Sequence, residues 1–446
     1  MENLFGTDGV RGQANRLLTP ELILSLSRAI AATVVPDGGC VIIGRDTRTS
    51  GPMLEAVLSA GLTSAGLNVC LAGIIPTPAI SFLIKDERAD LGIVISASHN
   101  PPEDNGIKLF DRNGMKLPQE EEHRIEAALP VAHEPAEIIG SVATLEAAAT
   151  RYAAFLTGTI DVERVNFSSM TLVLDCAYGA TAAIAPHVFR HLGATVIPIH
   201  SVPDGNRINV DCGATHLARL QEATKEYNAD LGIAFDGDGD RVLLVASDGF
   251  IIDGDRMMGI AASHMAERNL LTPAAIVATV LSNRGLELWL ADRGIHVHRT
   301  DVGDRYVSHR MIEEGIQIGG EASGHIIFRD HSPTGDGILT AVKLLEIAHH
   351  RGMDLPTLAR EIPLFPQCAR NIACADPAQL AEDPRTCELL HKAEETLGQL
   401  GRIVLRPSGT QPLLRIMVEA EDADRCEATA NRLEDSLRPI ARLSRR

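Results

Sequence analysis

The 446-residue sequence predicts an α/β protein: three related domains with mixed or parallel sheets, then a smaller C-terminal α+β domain. Two observations carry this expectation. A strand–turn–helix–glycine–strand pattern occurs three times, and the string Ala-Asp-Leu-Gly-Ile stands at residues 89–93 and again at 229–233, in the same relation to the preceding pattern. Chance can give one five-residue match, but it rarely gives the same placement twice.

The first copy runs from an apolar strand at 41–44 through a polar turn at 45–51 and a helix at 53–65 to Gly66 and a strand at 67–72. The second has a strand at 172–175, a turn at 177–181, a helix to Leu192, then Gly193 and a strand at 194–199. The third has a strand at 276–280, a turn at 282–285, a helix to Arg293, then Gly294 and a strand at 295–299. Such an order marks a βαβ unit with a parallel sheet. Each copy then meets another strand that ends in polar residues. Residues 89–93 lead to Ser96-Ala97-Ser98-His99-Asn100, 229–233 to Asp236-Gly237-Asp238-Gly239-Asp240, and 315–318 to Gly320-Glu321-Ala322-Ser323-Gly324-His325. Ligands of such sheets bind beyond the carboxyl ends of the strands, so chemistry is expected at these three places. Past residue 366 the pattern changes. Residues 376–384 read as loop, 387–400 as helix, 402–405 and 413–419 as strands, and 423–437 as a last helix. The expected domains are 1–150, 151–254, 255–365 and 366–446.

Hydrophobic residues make up 45% and charged residues 22%, an ordinary soluble composition, while aromatics at 3% leave the cores to aliphatic side chains. A net charge of −18 argues against a nucleic-acid or anionic-membrane surface, which needs a basic footprint. The eight cysteines (40, 70, 176, 212, 368, 374, 387 and 426) form no CxxC pair and read as free thiols in a reducing compartment. The first five residues show no signal-peptide pattern, and no apolar run approaches the ~18 residues of a membrane span. A cytoplasmic protein is expected.

Asp236, Asp238 and Asp240 alternate with glycine, so little bulk stops their carboxylates from turning to one point. Three hard oxygens suit Mg²⁺. A calcium EF-hand fails, because Arg241 and Ser247 stand where it needs Gly and Glu. A solvated acidic turn is the plainer alternative, hard to reconcile with the apolar strand 231–235 that delivers the acids. Ser98 with His99 and Asn100 would by itself read as a turn. Its position, equivalent to the acidic cluster one repeat later, makes it a candidate nucleophile facing a divalent ion. Arg45, Thr47, Arg48, Thr49 and Ser50 crowd a turn at a helix start, a place that favours anions. Arg406, Ser408, Gly409, Thr410 and Arg415 make a second such phosphate site. No Walker A and no GxGxxG motif occurs, so phosphate is expected to enter on a small substrate rather than a nucleotide. Glu321, Ser323 and His325 suit sugar hydroxyls, with a plain turn an equal reading.

Along nearly its whole length the chain resembles the α-D-phosphohexomutase superfamily, and within it the bacterial branch acting on glucosamine phosphate. The resemblance rests on residues 5–12, 44–51, 96–101 with 105–108, 236–241, 282–287, 302–306, 320–325, 334–337 and 406–410. It implies four domains around a central cleft, with Ser98 as a phosphoserine. Mg²⁺ would be bound by Asp236, Asp238, Asp240 and the phosphoserine oxygen. It further implies Glu321 and Ser323 on the sugar, the 406–415 loop on the phosphate that is not reacting, and Lys108, His325 and Arg11 near proton transfer and charge stabilisation. His99, Asn100 and Arg241 would support them. The reaction implied is glucosamine 6-phosphate to glucosamine 1-phosphate through a 1,6-bisphosphate that turns over in the cleft, with a hexosamine or hexose 1,6-bisphosphate as activator and a homodimer as the assembly. Mannose or glucose phosphates are the alternative substrates, and a non-catalytic sugar-phosphate-binding paralogue is the alternative of another class. The chain departs from the pattern at Tyr178 (usually Asn), Ala322 (commonly Gln), Gln411 (usually Glu) and Pro102-Glu103.

Overall fold

Short apolar runs cut by glycine or polar turns become strands, and where both faces are covered the run is apolar throughout. The computed structural model describes residues 4–6, 8–131, 136–407 and 412–443. The chain divides into two units, one of residues 1–279 with 300–359, the other of residues 280–299 with 360–446.

In the first unit, β1 (Val10–Gln13), β2 (Cys40–Arg45), β3 (Asn68–Ile74), β4 (Leu91–Ile95), β5 (Asp104–Asp111) and β6 (Val142–Thr144) form one sheet in the order β1-β5-β4-β2-β3-β6. β2 is parallel to β3 and β4, while β5 returns antiparallel to β4. α1 (Pro20–Val34) starts cleanly: the Thr19 side chain accepts from the Leu22 N–H and Pro20 sits in the first turn. With α2 (Gly51–Ser64) it buries Ile23, Leu26, Ile30, Leu54, Leu58 and Leu62 against Val41, Ile43 and Ile93 of the sheet. Each such side chain contributes about 1.5–3 kcal/mol. α3 (Thr77–Glu87) follows β3.

A second sheet contains β7 (Thr171–Asp175), β8 (Thr195–Ile199), β9 (Leu231–Phe235), β10 (Val242–Ala246) and β11 (Ile251–Ile252), in the order β11-β10-β9-β7-β8. β7 is parallel to β8 and β9, and β10 antiparallel to β9. After β12 (Ala275–Thr279), residues 280–299 belong to the second unit and include most of β13 (His296–Thr300). β14 (Ile318–Gly320) is parallel to β12 and antiparallel to β15 (Ile326–Phe328). The repeat thus extends further than the βαβ pattern. Three times, a strand parallel to the first of its unit (β4, β9, β14) turns back into an antiparallel partner, and the three polar segments are those turns.

In the second unit, β16 (Gln367–Ala373), β17 (Gly401–Pro407) and β18 (Leu413–Ala420) form an antiparallel sheet with β18 in the middle. Leu380, Leu397, Leu414, Ile416, Val418, Leu433 and Leu437 share its core. Two expectations are corrected here. Residues 376–384 are not simply loop: they contain the helix Pro377–Glu382, capped where Asp376 accepts from the Gln379 N–H. The next helix starts earlier, at Pro384 rather than Cys387, because Asp383 caps it, and it ends at Leu397. β16 was not anticipated at all, since Gln-Cys-Ala-Arg-Asn-Ile-Ala carries one β-branched residue.

Candidate active site

The turn between β4 and β5 sets Ser98 in a left-handed backbone conformation (φ 52°), almost fully buried at 1% exposure. Its backbone is gripped from several directions. The Ser98 N–H donates to Ser96 Oγ (2.9 Å), which in turn donates to Asp46 Oδ2 (2.6 Å). The Ser98 carbonyl accepts from Arg48 Nη2 (3.0 Å) and from Asn209 Nδ2 (2.8 Å). Arg48 also donates to the carbonyls of Asn100 (2.8 Å) and Asp104 (2.8 Å), and pairs with Asp46 at 2.9 Å. This revises the anion reading of the 45–51 turn: Arg48 has no exposed surface and is spent on holding the serine loop. Ser98 Oγ donates to Asp236 Oδ2 at 2.7 Å and lies 3.3 Å from His99 Nδ1. Burial, then the charges of Arg241 and Arg11, lower His99 to about 4, so its ring is neutral at pH 7. Asn100 donates to Asp104 Oδ2 (3.0 Å) and accepts from Arg11 (3.5 Å).

Asp236, Asp238 and Asp240 occupy the turn between β9 and β10. All three are buried, with a carboxylate oxygen from each within 4.8 Å of the others. Gly239 has φ 71°, and a Cβ on Gly237 would stand 2.7 Å from the Ser98 carbonyl oxygen, so glycine lets the two turns touch. Thr77, at the start of α3, donates to Asp238 Oδ2 (2.5 Å). Asp238 Oδ1 and Asp240 Oδ1 are buried with no hydrogen-bond partner. Hard oxygens converging in this way, two of them unsatisfied, fit a divalent cation of the magnesium type. Lys108 of β5 reaches the same place, with Nζ 2.7 Å from Asp238 Oδ2, 3.4 Å from Asp240 Oδ2 and 3.1 Å from Asp8 Oδ2. Burial opposes its charge, but Asp238, Asp8 and Asp240 outweigh burial and raise its pKa. Asp236 is pushed well up by burial and then by its two neighbours. Asp240 goes well down: burial acts against this, and Lys108 and His325 prevail. Arg241 gives its backbone N–H to Asp236 Oδ1 (3.2 Å), and its guanidinium lies 3.9 Å from Asp240.

Glu321 and Ser323 stand at the turn between β14 and β15. Glu321 is largely buried and accepts from the Gly303 N–H (3.1 Å) and the Ser323 hydroxyl (3.3 Å). His325 is buried at the start of β15. Its Nε2 accepts from the Gly335 N–H (3.1 Å), which places the neutral ring's proton on Nδ1, 3.8 Å from Asp240 Oδ2. Burial lowers the imidazole, and Asp240, Asp304 and Glu321 raise it by more.

The structure brings Ser98, His99, Asn100, Arg11, Lys108, the three aspartates, Arg241 and His325 into one polar network, with Glu321 and Ser323 on the adjoining turn. It also adds residues that the sequence reading did not single out. Asp8 pairs with Arg11 and Lys116, and Lys116 pairs with Asp304, whose Oδ2 is 3.6 Å from His325 Nε2. The signal in the sequence was that Asp8 and Asp304 lie inside two of the stretches that carry the family resemblance, 5–12 and 302–306. Of the second phosphate site, Arg406 and Arg415 are register partners on β17 and β18. Ser408, Gly409, Thr410 and Gln411 lie outside the described residues.

The chain matches four domain families of phosphoglucomutase/phosphomannomutase: α/β/α domain I at residues 2–134, II at 150–249, III at 253–365, and the C-terminal domain at 370–436. It is 46% identical to the phosphoglucosamine mutase of Carboxydothermus hydrogenoformans, over 97% of this chain and 98% of that protein. It is 45% identical to that of Salinispora arenicola, over 98% and 99%. A crystal structure of a phosphoglucomutase/phosphomannomutase family protein from Burkholderia thailandensis superposes with a TM-score of 0.81 at 26% identity, covering 100% of this chain and 98% of that one. With three adjoining turns that bear a serine, an acidic triad and a Glu-Ser-His set, and with these matches along nearly its full length, the chain belongs to the phosphoglucomutase/phosphomannomutase family of α-D-phosphohexomutases.

Proposed function

We propose that the chain interconverts glucosamine 6-phosphate and glucosamine 1-phosphate, with Ser98 carrying the working phosphoryl group and Mg²⁺ as the cofactor. The supporting observation is that the Ser98 hydroxyl lies 2.7 Å from Asp236 within the acidic triad. Asp236, Asp238 and Asp240 would hold the metal, which would neutralise charge on the phosphoryl oxygens. The rest is positioning. The clamp on the Ser98 peptide fixes the donor, and Lys108, kept protonated, places a permanent positive charge beside the triad. His99 stays neutral and adds no charge next to the serine.

In the forward direction, phospho-Ser98 would give its group to the substrate's free 1-hydroxyl. The bond to Oγ breaks, the bond to the sugar oxygen forms, and the hydroxyl proton leaves. The 6-phosphoryl group of the resulting 1,6-bisphosphate would then return to Ser98, and the sugar oxygen takes up a proton. We assign those transfers to His325: its Nδ1–H would stay turned to Asp240, while Nε2 would release the Gly335 N–H, take the hydroxyl proton in the first transfer and give it back in the second. Arg11 would support charge, Glu321 and Ser323 would hold sugar hydroxyls, and Arg406, Ser408, Gly409, Thr410 and Arg415 would bind phosphate. A cytoplasmic homodimer is the proposed setting. No helix among the described residues is long and apolar enough to cross a membrane.

The test is a panel of hexose 6-phosphates with Mg²⁺ and a 1,6-bisphosphate activator. Highest kcat/KM for glucosamine phosphate is expected, with phosphate on Ser98 by intact mass and no turnover by Ser98→Ala. Preference for glucose or mannose phosphate would overturn the substrate assignment. Activity in Ser98→Ala would overturn the mechanism.

A further inference from the structure

Beyond the aspartate triad, one more set of metal-ligating side chains converges among the described residues. Asp175 ends β7, His200 follows β8, and Cys212 lies on the segment between β8 and β9. Asp175 and Cys212 have no exposed surface, and the His200 side chain is 18% exposed. One donor atom from each falls within 4.8 Å of the other two. The carboxylate is pre-oriented: Oδ1 accepts from the Ala177 N–H (2.9 Å) and Oδ2 from the Gly213 N–H (2.9 Å). Each oxygen keeps a further lone pair. His200 Nδ1 is 3.0 Å from Asp175 Oδ1, yet that nitrogen is buried without a hydrogen-bond partner. Cys212 Sγ lies 4.0 Å from the Arg207 carbonyl.

We propose that Asp175, His200 and Cys212 form a second metal site, selective for a borderline-soft divalent ion, zinc, over magnesium. A sulfur, an imidazole nitrogen and a carboxylate oxygen are zinc donors, whereas Mg²⁺ takes oxygen alone. Three such donors around a tetrahedral ion stand about 3.3–3.8 Å apart, inside the 4.8 Å within which these three donor atoms fall. Thiolate and carboxylate together cancel the charge of the ion, so the filled site is neutral in a buried place. On binding, the S–H bond gives way to an S–Zn bond and the proton leaves to solvent.

The site also reaches the serine loop. Ala177, held by Asp175, accepts from the Asn209 N–H (3.1 Å), and the Asn209 side chain donates to the Ser98 carbonyl. The ion would therefore brace the segment that grips Ser98, without touching the reacting groups.

Cobalt(II) is the probe, added to the full-length protein in excess Mg²⁺ so that the aspartate triad is occupied. The expected result is one cobalt per chain with a thiolate-to-cobalt charge-transfer band, displaced by one equivalent of zinc. The band should vanish in Cys212→Ser, affinity should fall at least tenfold in His200→Gln, and Asp238→Ala should keep both. His200→Gln changes a partly exposed side chain and so decides the matter even if Cys212→Ser does not fold. Absence of the band in folded wild type, or a band that survives His200→Gln at unchanged affinity, would overturn the site and leave a plain His–Asp contact.

Discussion

Asp238 shows how one residue can be satisfied and unsatisfied at once. Its Oδ2 receives Thr77 and Lys108, while Oδ1 is buried without a donor. Asp238→Ala is therefore expected to lower affinity for Mn²⁺, a spectroscopic stand-in for Mg²⁺, by tenfold or more in titration calorimetry. Unchanged affinity would mean that the triad holds no ion. Asp336 is a separate case. It caps the helix Gly337–Arg351 by accepting from the Leu339 N–H (2.9 Å), and it receives the Tyr152 hydroxyl at 2.7 Å. Burial raises it from 3.8 to about 6. A carboxyl raised in the folded state favours folding while protonated, and that contribution is lost as pH climbs from about 4 through about 6. Asp336→Asn keeps the acceptor and removes the titration. Relative to wild type, the variant should gain up to about 3 kcal/mol between pH 4 and 7. Denaturant midpoints at the two pH values check this, and parallel pH profiles would contradict it.

At the scale of elements, the three β-return turns do the work, and two of them meet at Gly237. An alanine there would press its methyl on the Ser98 carbonyl at 2.7 Å and on the Asn209 side chain at 2.8 Å. Gly237→Ala should cost roughly 1–3 kcal/mol, as overpacking does, and lower kcat by more than tenfold because it displaces the serine peptide. Stability loss with kcat intact would separate the turn from catalysis. These turns were legible because strands ending in Ser98 and in the aspartates share Ala-Asp-Leu-Gly-Ile, so the repeat supplied the alignment. The grip on them was not. Asn209 and Ser98 are 111 residues apart, Lys116 and Asp304 188 apart, and a single polar residue carries no mark of a partner at that distance. Arg48 was misread for the same reason: an arginine in a turn suggests phosphate until its carbonyl partners at 98, 100 and 104 are visible. The helix Pro377–Glu382 was hidden by its shortness and its flanking Asp and Pro.

For the molecule as a whole, the first unit must keep six nearby carboxylates buried or half-buried in the absence of metal: Asp8, Asp236, Asp238, Asp240, Asp304 and Glu321. Lys108, Lys116, Arg11 and Arg241 are the counter-charges, and of these Lys108 pairs with Asp8, Asp238 and Asp240 together. Lys108→Met should destabilise the metal-free protein by on the order of 3–5 kcal/mol, the usual cost of removing one partner of a buried pair. Saturating Mg²⁺ should restore part of it. Scanning calorimetry with EDTA and with Mg²⁺ reads both, and an unshifted metal-free transition would refute it.

The clamp on the Ser98 peptide has a consequence for direction. A donor pinned through its own backbone by residues 48, 96 and 209 is a stationary post, and everything that differs between the two half-reactions must lie in the sugar. An anomeric oxygen and a primary oxygen would be served in turn by the same fixed groups, so it is the sugar that would have to turn, while the protein, like any catalyst, leaves the equilibrium where it is. Which isomer accumulates is left to the relative free energies of the two sugar phosphates and to whatever consumes them.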